Sequence, residues 1–237
     1  MALLVLIALL VDCCFPPIDR LMNQSPMRLC LVRHGETAWN AQQRMQGHKD
    51  LPLSPEGLAQ AEQAGRLFVG LKAAAIYSSD LQRAWQTATP IAAALSLPIV
   101  RLVALRERNY GRCEGMIRSE VSSHYPEDAR ALRERRPDYV LPGGESLNQH
   151  LQRIRDCIDA LAAKHAGETV VVVTHGGVLD LIYRQATGTP IEKPRDFPIP
   201  NTGICWLSIS ADAWHVEQWA DTAHLGERGA IEVTANF

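Results

Sequence analysis

Leu29-Cys30-Leu31-Val32-Arg33-His34-Gly35-Glu36-Thr37-Ala38-Trp39-Asn40 is the stretch on which the fold turns. It opens with the short apolar run of a buried strand. The run stops at Arg33 and His34, and Gly35 stands where the backbone must turn. Such an ending places a cation and an imidazole at the carboxyl edge of a sheet, the edge at which open α/β sheets bind ligands. Thr169-Val170-Val171-Val172-Val173-Thr174-His175-Gly176-Gly177 repeats the pattern far downstream. Two buried strands that each deliver a His-Gly pair to one edge form a sharper signal than either alone.

Working outward, strand and helix signals alternate. Glu36 to Asp50 is a polar loop, and Ser54-Pro55-Glu56-Gly57 announces a helix with Ser54 as N-cap and Pro55 at its first position. Leu58, Ala61, Ala64 and Phe68 carry its apolar stripe. Ala74 to Ser78 is a second buried strand; Ser79 or Asp80 then caps a helix striped by Leu81, Ala84, Trp85, Ala88, Ile91, Ala92 and Leu95. Leu97 to Leu105 is a weaker third strand, and Met116 to Arg136 an irregular helix. Pro142-Gly143-Gly144 precedes a long helix with Leu147, Leu151, Ile154, Ile158 and Leu161 on one face, ended by Gly167. After the Val170–Val173 strand come a helix over Val178–Ala186, a proline-rich loop and two last strands near Ile204–Ile209 and Trp214–Trp219. Alternation of this kind predicts right-handed βαβ crossovers. The expected fold is α/β, a single-domain three-layer α/β/α sandwich with a mainly parallel sheet.

The chain has 237 residues, within the range of one domain, and no repeat or linker divides it. A formal net charge of −2 argues against a general nucleic-acid binder, although a pocket can be basic inside a mildly acidic protein. The six cysteines show no CxxC and no metal-ligand spacing. Cys30, Cys157 and Cys205 fall on apolar positions and read as core, a usage that suits a reducing, cytoplasmic compartment. Met1 to Val11 is apolar but lacks a preceding basic residue and a cleavage pattern, and is shorter than the roughly 20 residues of a membrane span. Residues 1–26 are therefore expected to be an extension outside the fold, 27–220 the domain and 221–237 a tail.

Arg33-His34-Gly35-Glu36-Thr37-Ala38-Trp39-Asn40 resembles the signature of the histidine phosphatase superfamily, the phosphoglycerate mutase-like proteins, and the ordered motifs extend the resemblance over roughly Met27 to Ser210. It implies a phosphoglycerate mutase-like fold and a nucleophile at His34 that becomes a phosphohistidine. Imidazole suits that task when one nitrogen is unprotonated and a hydrogen bond holds the other. A transferring phosphoryl group spreads negative charge over its oxygens, so fixed cations must surround it. Arg33 is the first, and Arg83, in Ser78-Ser79-Asp80-Leu81-Gln82-Arg83, matches the family's phosphate-binding arginine. His175 is expected to donate to phosphate, with the amides of the helix opened by Gly176-Gly177 nearby. The leaving alkoxide needs a proton. Leu105-Arg106-Glu107-Arg108-Asn109-Tyr110-Gly111-Arg112-Cys113-Glu114 offers two carboxyls, of which Glu107 aligns with the family's acid and Glu114 is the alternative. Asn40, Gln46, Gly47 and Gly176 fall where the family contacts phosphate or substrate, and Tyr110 and Arg118 where it lines the substrate side. Glu145 resembles a segment of the phosphatase branch, or is simply a carboxylate favoured at a helix N-terminus.

The expected activity is hydrolysis of a small phosphorylated metabolite, with no metal and no cofactor, no nucleic-acid or membrane partner, and a homodimer left open. The alternative is a cofactor-dependent mutase using the same histidine. A mutase needs extra cations on the far side of the pocket, for which Arg108, Arg118 and Arg135-Arg136 are candidates. The short passage from Arg136 to Pro142-Gly143-Gly144-Glu145-Ser146 lacks the insertion typical of such mutases and favours the phosphatase. Two other classes are a metal-dependent hydrolase with His34 and His175 as ligands, which lacks a well-spaced third ligand, and a non-catalytic phospho-ligand binder, which would keep the arginines without the nucleophile or acid.

Overall fold

The computed structural model describes residues 25–230. The apolar run Met1–Val11, nearly all of the expected extension and the last residues of the expected tail lie outside them. Among the described residues, six strands, β1 (Met27–Arg33), β2 (Ala75–Ser78), β3 (Ile99–Arg101), β4 (Thr169–Thr174), β5 (Ile204–Ile209) and β6 (Trp214–Asp221), form one sheet. Their order is β3-β2-β4-β1-β5-β6. The two strands with the longest apolar runs, β1 and β4, are central and parallel to each other, and both faces of each are buried, as is usual for parallel strands. Arg33 pairs with Thr174, so His34 and His175 leave neighbouring strands at the same level. β2 and β3 continue the parallel half, while β5 and β6 add an antiparallel edge.

Among the described residues, seven α-helices accompany the sheet: α1 (Ala38–Ala41), α2 (Pro55–Arg66), α3 (Gln82–Leu95), α4 (Arg118–His124), α5 (Pro126–Arg133), α6 (Leu147–Lys164) and α7 (Gly176–Thr187). Alternate residues of β1 and β4 feed two cores. Leu29, Leu31, Val170 and Val172 meet Ile154 and Ile158 of α6 and Leu179 and Ile182 of α7. Cys30, Val32, Val171 and Val173 meet Ala84, Ala88 and Ile91 of α3 and Phe68 beyond α2. Each such aliphatic side chain contributes about 1.5–3 kcal/mol when taken fully out of water. A third, smaller cluster of Met45, Cys113, Val121, Leu132 and Leu141 builds a cap from α4, α5 and the segments beside them.

Several expectations need correction. Leu58, assigned to the buried stripe of α2, is 47% exposed, and Gly57 takes the inward place. The Leu97–Leu105 strand shrinks to β3 and a 3-10 turn at Val103–Leu105. Met116–Arg136 is two helices, broken where Pro126 starts a new one. The N-cap of α3 is Leu81, without a side-chain cap bond, rather than Ser79 or Asp80. In α6 the buried face passes through His150, and Leu151 is only partly buried.

Candidate active site

His34 sits just past β1 with its backbone held on both sides. Its N–H donates to the Thr174 carbonyl at 2.9 Å, and Asn201 Nδ2 donates to its carbonyl at 2.7 Å. The ring is buried, with Nδ1 2.7 Å from the Gly35 carbonyl. A carbonyl only accepts, so Nδ1 carries the proton and Nε2 the lone pair. Burial, then the charges of Arg83 and Arg33, push the pKa well below the ordinary histidine range and keep the ring neutral. Gly35 is required here for closeness: a β-carbon on it would lie 2.5 Å from the Gly57 carbonyl oxygen.

Arg83, at the start of α3, is fully buried. Nη2 donates to the Gly47 carbonyl at 2.7 Å, Nη1 to the Lys49 carbonyl at 2.8 Å, and Nε to Nδ1 of His175 at 3.2 Å. Burial draws its pKa down to about 10, still cationic at neutral pH. Gly47 can present that carbonyl because its φ is +54°. His175 Nε2 then donates to Ser79 Oγ at 2.8 Å, which explains why Ser79 caps no helix. Both nitrogens of His175 are engaged within the protein, and its ring lies edge-on to His34 with centroids 5.1 Å apart.

A cavity of about 560 Å³ opens above these residues. Arg33, Arg44, Arg83, Arg108, Arg118, Arg135 and Arg195 line it against the carboxylates Glu36, Glu107 and Asp180. Seven cations against three anions make it a basic pocket in a chain of net charge −2, suited to a polyanionic ligand. His34, Asn40, Gln46, Gly47, Tyr110 and Gly176 also line it; of the residues weighed from sequence, His175 and the secondary candidates Glu114, Glu145 and Arg136 do not reach the wall. His175 acts on the wall through Arg83.

The two candidate acids separate clearly. Glu107 lines the cavity, accepting from the Arg108 N–H at 2.7 Å and from the Gly177 N–H at 2.9 Å. The amide expected to face a ligand at the start of α7 thus faces a carboxylate of the chain itself. Only glycine allows this approach, because a β-carbon at 177 would lie 2.1 Å from Glu107 Oε1. Glu114 stands behind the loop, accepting from the N–H groups of His48 and Tyr110 at 2.8 and 3.2 Å. Glu145 is also a brace: its carboxylate takes Asn109 N–H and Arg153 Nη2, and its carbonyl takes Arg108.

Residues 29–222 match the model of the histidine phosphatase superfamily, branch 1. The chain belongs to the histidine phosphatase superfamily. Within it, the chain is 39% identical to phosphoglycerate mutase-like protein 4 of Arabidopsis thaliana, over 86% of this chain and 89% of that one. It is 37% identical to a metal-independent phosphoserine phosphatase of the same plant, over 86% and 85% of the two chains. Among solved structures it is similar to YhfR of Bacillus stearothermophilus, with a TM-score of 0.78, 31% identity, and coverage of 84% of this chain and 99% of that one.

Sequence reasoning missed four charged or titratable residues of this histidine phosphatase's pocket: Arg44, on the polar loop after the nucleophile, and Asp180, Arg195 and His150. Asp180 lies one turn into α7 on its buried face, and Arg195 lies in the proline-rich loop, where no periodicity points inward. His150 occupies a core position of α6, and its signal was available: a histidine on an otherwise apolar stripe. Of the Arg135-Arg136 pair, Arg135 reaches the cavity, whereas Arg136 pairs outside with Glu127 and Glu134.

Proposed function

We propose that the protein is a phosphatase that hydrolyses small phosphomonoesters through a phosphohistidine on His34. The observation that carries this reading is the fixed tautomer of His34 in a cavity wall it shares with Arg33 and Arg83. Nε2 attacks phosphorus in line, the P–N bond forms as the ester P–O bond breaks, and the leaving oxygen takes a proton from Glu107. Water then attacks the phosphohistidine, Glu107 takes back a proton, and the P–N electron pair returns to the ring. Arg33 and Arg83 balance the equatorial charge. His175, held by Ser79, fixes the Arg83 guanidinium and flanks the nucleophile. Asn40, Gln46, Gly47 and Gly176 shape the phosphate end, and Tyr110 and Arg118 the organic end.

A mutase is the second reading, favoured by Arg108 and Arg118 in the wall and by the relative named phosphoglycerate mutase-like. Against it, Arg135 is already paired with Asp180 at 2.5 Å and donates to the Ile191 carbonyl, so it is committed to the protein. A metal-dependent hydrolase loses one of its two histidine ligands, since both nitrogens of His175 are engaged by the chain and only Nε2 of His34 keeps a lone pair.

Incubation with a labelled phosphomonoester followed by rapid quench tests the proposal. The expected result is an acid-labile, base-stable adduct on His34 that forms and decays at the turnover rate and is absent in His34→Ala. Product release without the adduct would overturn it. With 3-phosphoglycerate, phosphate release is expected to outrun isomerisation; the opposite order would establish the mutase.

A further inference from the structure

We propose that Nε2 of His150 is the acceptor that selects phosphomonoesters bearing a hydroxyl or ammonium donor on their organic part; the inference deepens the phosphatase reading and rests on it. The buried face of α6 runs Leu147, His150, Ile154, Ile158 and Leu161. A histidine therefore fills the second slot of an otherwise aliphatic stripe, at the end of the helix nearest the site, and both Leu147 and His150 line the cavity. The residue is 1% exposed, and Nε2 has no hydrogen-bond partner. A buried polar atom left unpaired costs about 1–3 kcal/mol, so an unmatched nitrogen in a ligand wall calls for a ligand group to meet it.

The direction of that bond is fixed by the rest of the ring. The Arg106 backbone, the ring's other polar neighbour, favours the protonated ring and so faces an N–H; with Nε2 unpartnered, that N–H is on Nδ1. The proton sits on that side, and Nε2 keeps the lone pair. Burial, then the charges of Arg153, Arg108 and His48, hold the ring neutral. A lone pair accepts from O–H or N–H and repels carboxylate or phosphate oxygens, which the arginines of the same wall receive instead. Two other unpartnered acceptors of the wall discriminate less sharply. Gln46 can turn its amide to offer NH₂, and Asp180 already holds Arg135 and Arg184 through its other oxygen.

Three esters that share a phosphate and a carboxylate and differ at one carbon provide the test: 3-phosphoglycerate with a hydroxyl, O-phosphoserine with an ammonium, and 3-phosphonooxypropionate with neither. The full chain is expected to prefer at least one donor-bearing ester over the third by about tenfold or more in kcat/KM, and which of the two it prefers identifies the donor. His150→Leu should bring that ratio to within about twofold, mainly through KM, and His150→Gln should recover part of it. A packing role would instead lower all three esters together. A wild-type ratio near one, a ratio unmoved by His150→Leu, or no turnover of any of the three overturns the proposal. Hydrolysis with an unmoved ratio leaves the phosphatase reading intact, whereas failure with every ester and with p-nitrophenyl phosphate overturns both. Should His150→Leu not fold, the ¹⁵N resonance of Nε2 in the wild-type chain decides. It should shift with a non-hydrolysable phosphonate analogue that carries the donor and stay put with the deoxy analogue; equal shifts overturn the proposal.

Discussion

At the scale of single residues the catalytic centre works by fixed partners for His34, Arg83, Glu107 and His175. Gly177 shows how narrow that pairing is. Alanine is the better helix former by about 1 kcal/mol, so Gly177→Ala should leave thermal stability near wild type or above. Its β-carbon would, however, meet Glu107 Oε1 at 2.1 Å and push the carboxyl aside. Turnover should fall at least tenfold for an alkyl phosphate, whose poor leaving group needs the proton, and less for p-nitrophenyl phosphate; general acid catalysis is worth roughly 10²–10⁴. Comparing kcat for the two esters checks this, and an equal loss on both would move the acid elsewhere. Ser79 offers a contrasting case. Its hydroxyl is the acceptor for His175 Nε2–H at 2.8 Å. Ser79→Ala should lower the unfolding free energy by about 1–3 kcal/mol, the penalty for a buried donor left unpaired, measured by urea titration.

At the scale of elements, β1 and β4 were legible because a strand covered on both faces is apolar throughout, and theirs are the longest such runs. The His-Gly endings were legible for the same reason: polarity returns where the strand leaves the core. What escaped was decided by approaches between segments distant in sequence. Leu58 loses its buried place because Gly57 packs so tightly that a β-carbon there would lie 2.0 Å from the Glu36 carbonyl oxygen. Asp180 and Arg195 escaped because their partners come from other segments. The cap is the element least visible in sequence, since it is organised around a polar residue. Asp128 is buried and accepts from Tyr139 Oη at 2.6 Å and from Arg112 Nε at 2.7 Å. Asp128→Ala should therefore loosen Arg118–Arg133 selectively. Amide exchange there should quicken while β1 and β4 stay protected, and KM should rise more than kcat falls, because the cap brings Arg118 and Leu132 to the cavity. Uniform loss of protection across the sheet would show that cap and sheet unfold as one unit.

At the scale of the whole molecule, a cavity able to hold a dianion must keep its own imidazoles uncharged, and that requirement sets how stability responds to acid. His34, His150 and His175 are all buried, and burial is the first cause that pushes each pKa well below the ordinary histidine value. In the unfolded chain the same rings titrate near 6.5. Above that value neither state binds the protons, and the contribution of the neutral rings to stability is fully present. Below it the unfolded chain binds protons that the folded chain refuses, so stability falls as the pH drops through about 6.5 and keeps falling until the folded rings titrate. Each ring contributes at most about 1.4 kcal/mol per pH unit, so three of them give a slope approaching ~4 kcal/mol per unit by about pH 5. Paired carboxylates such as Asp80 and Asp128, whose pKa values are lowered, add their own loss only below their ordinary range near 4. The interval from pH 6.5 to 5 therefore belongs to the histidines. Urea midpoints at pH 7.5, 6.5, 5.5 and 5.0 should fall slightly between the first two and steeply through the last two, and calorimetry in buffers of different ionisation enthalpy should count close to three protons from these rings taken up on unfolding at pH 5, with a further fraction from His224, whose pKa burial also lowers. A midpoint flat across that range would mean that the rings carry charge in the folded protein, and the neutral nucleophile at His34 would have to be abandoned with them.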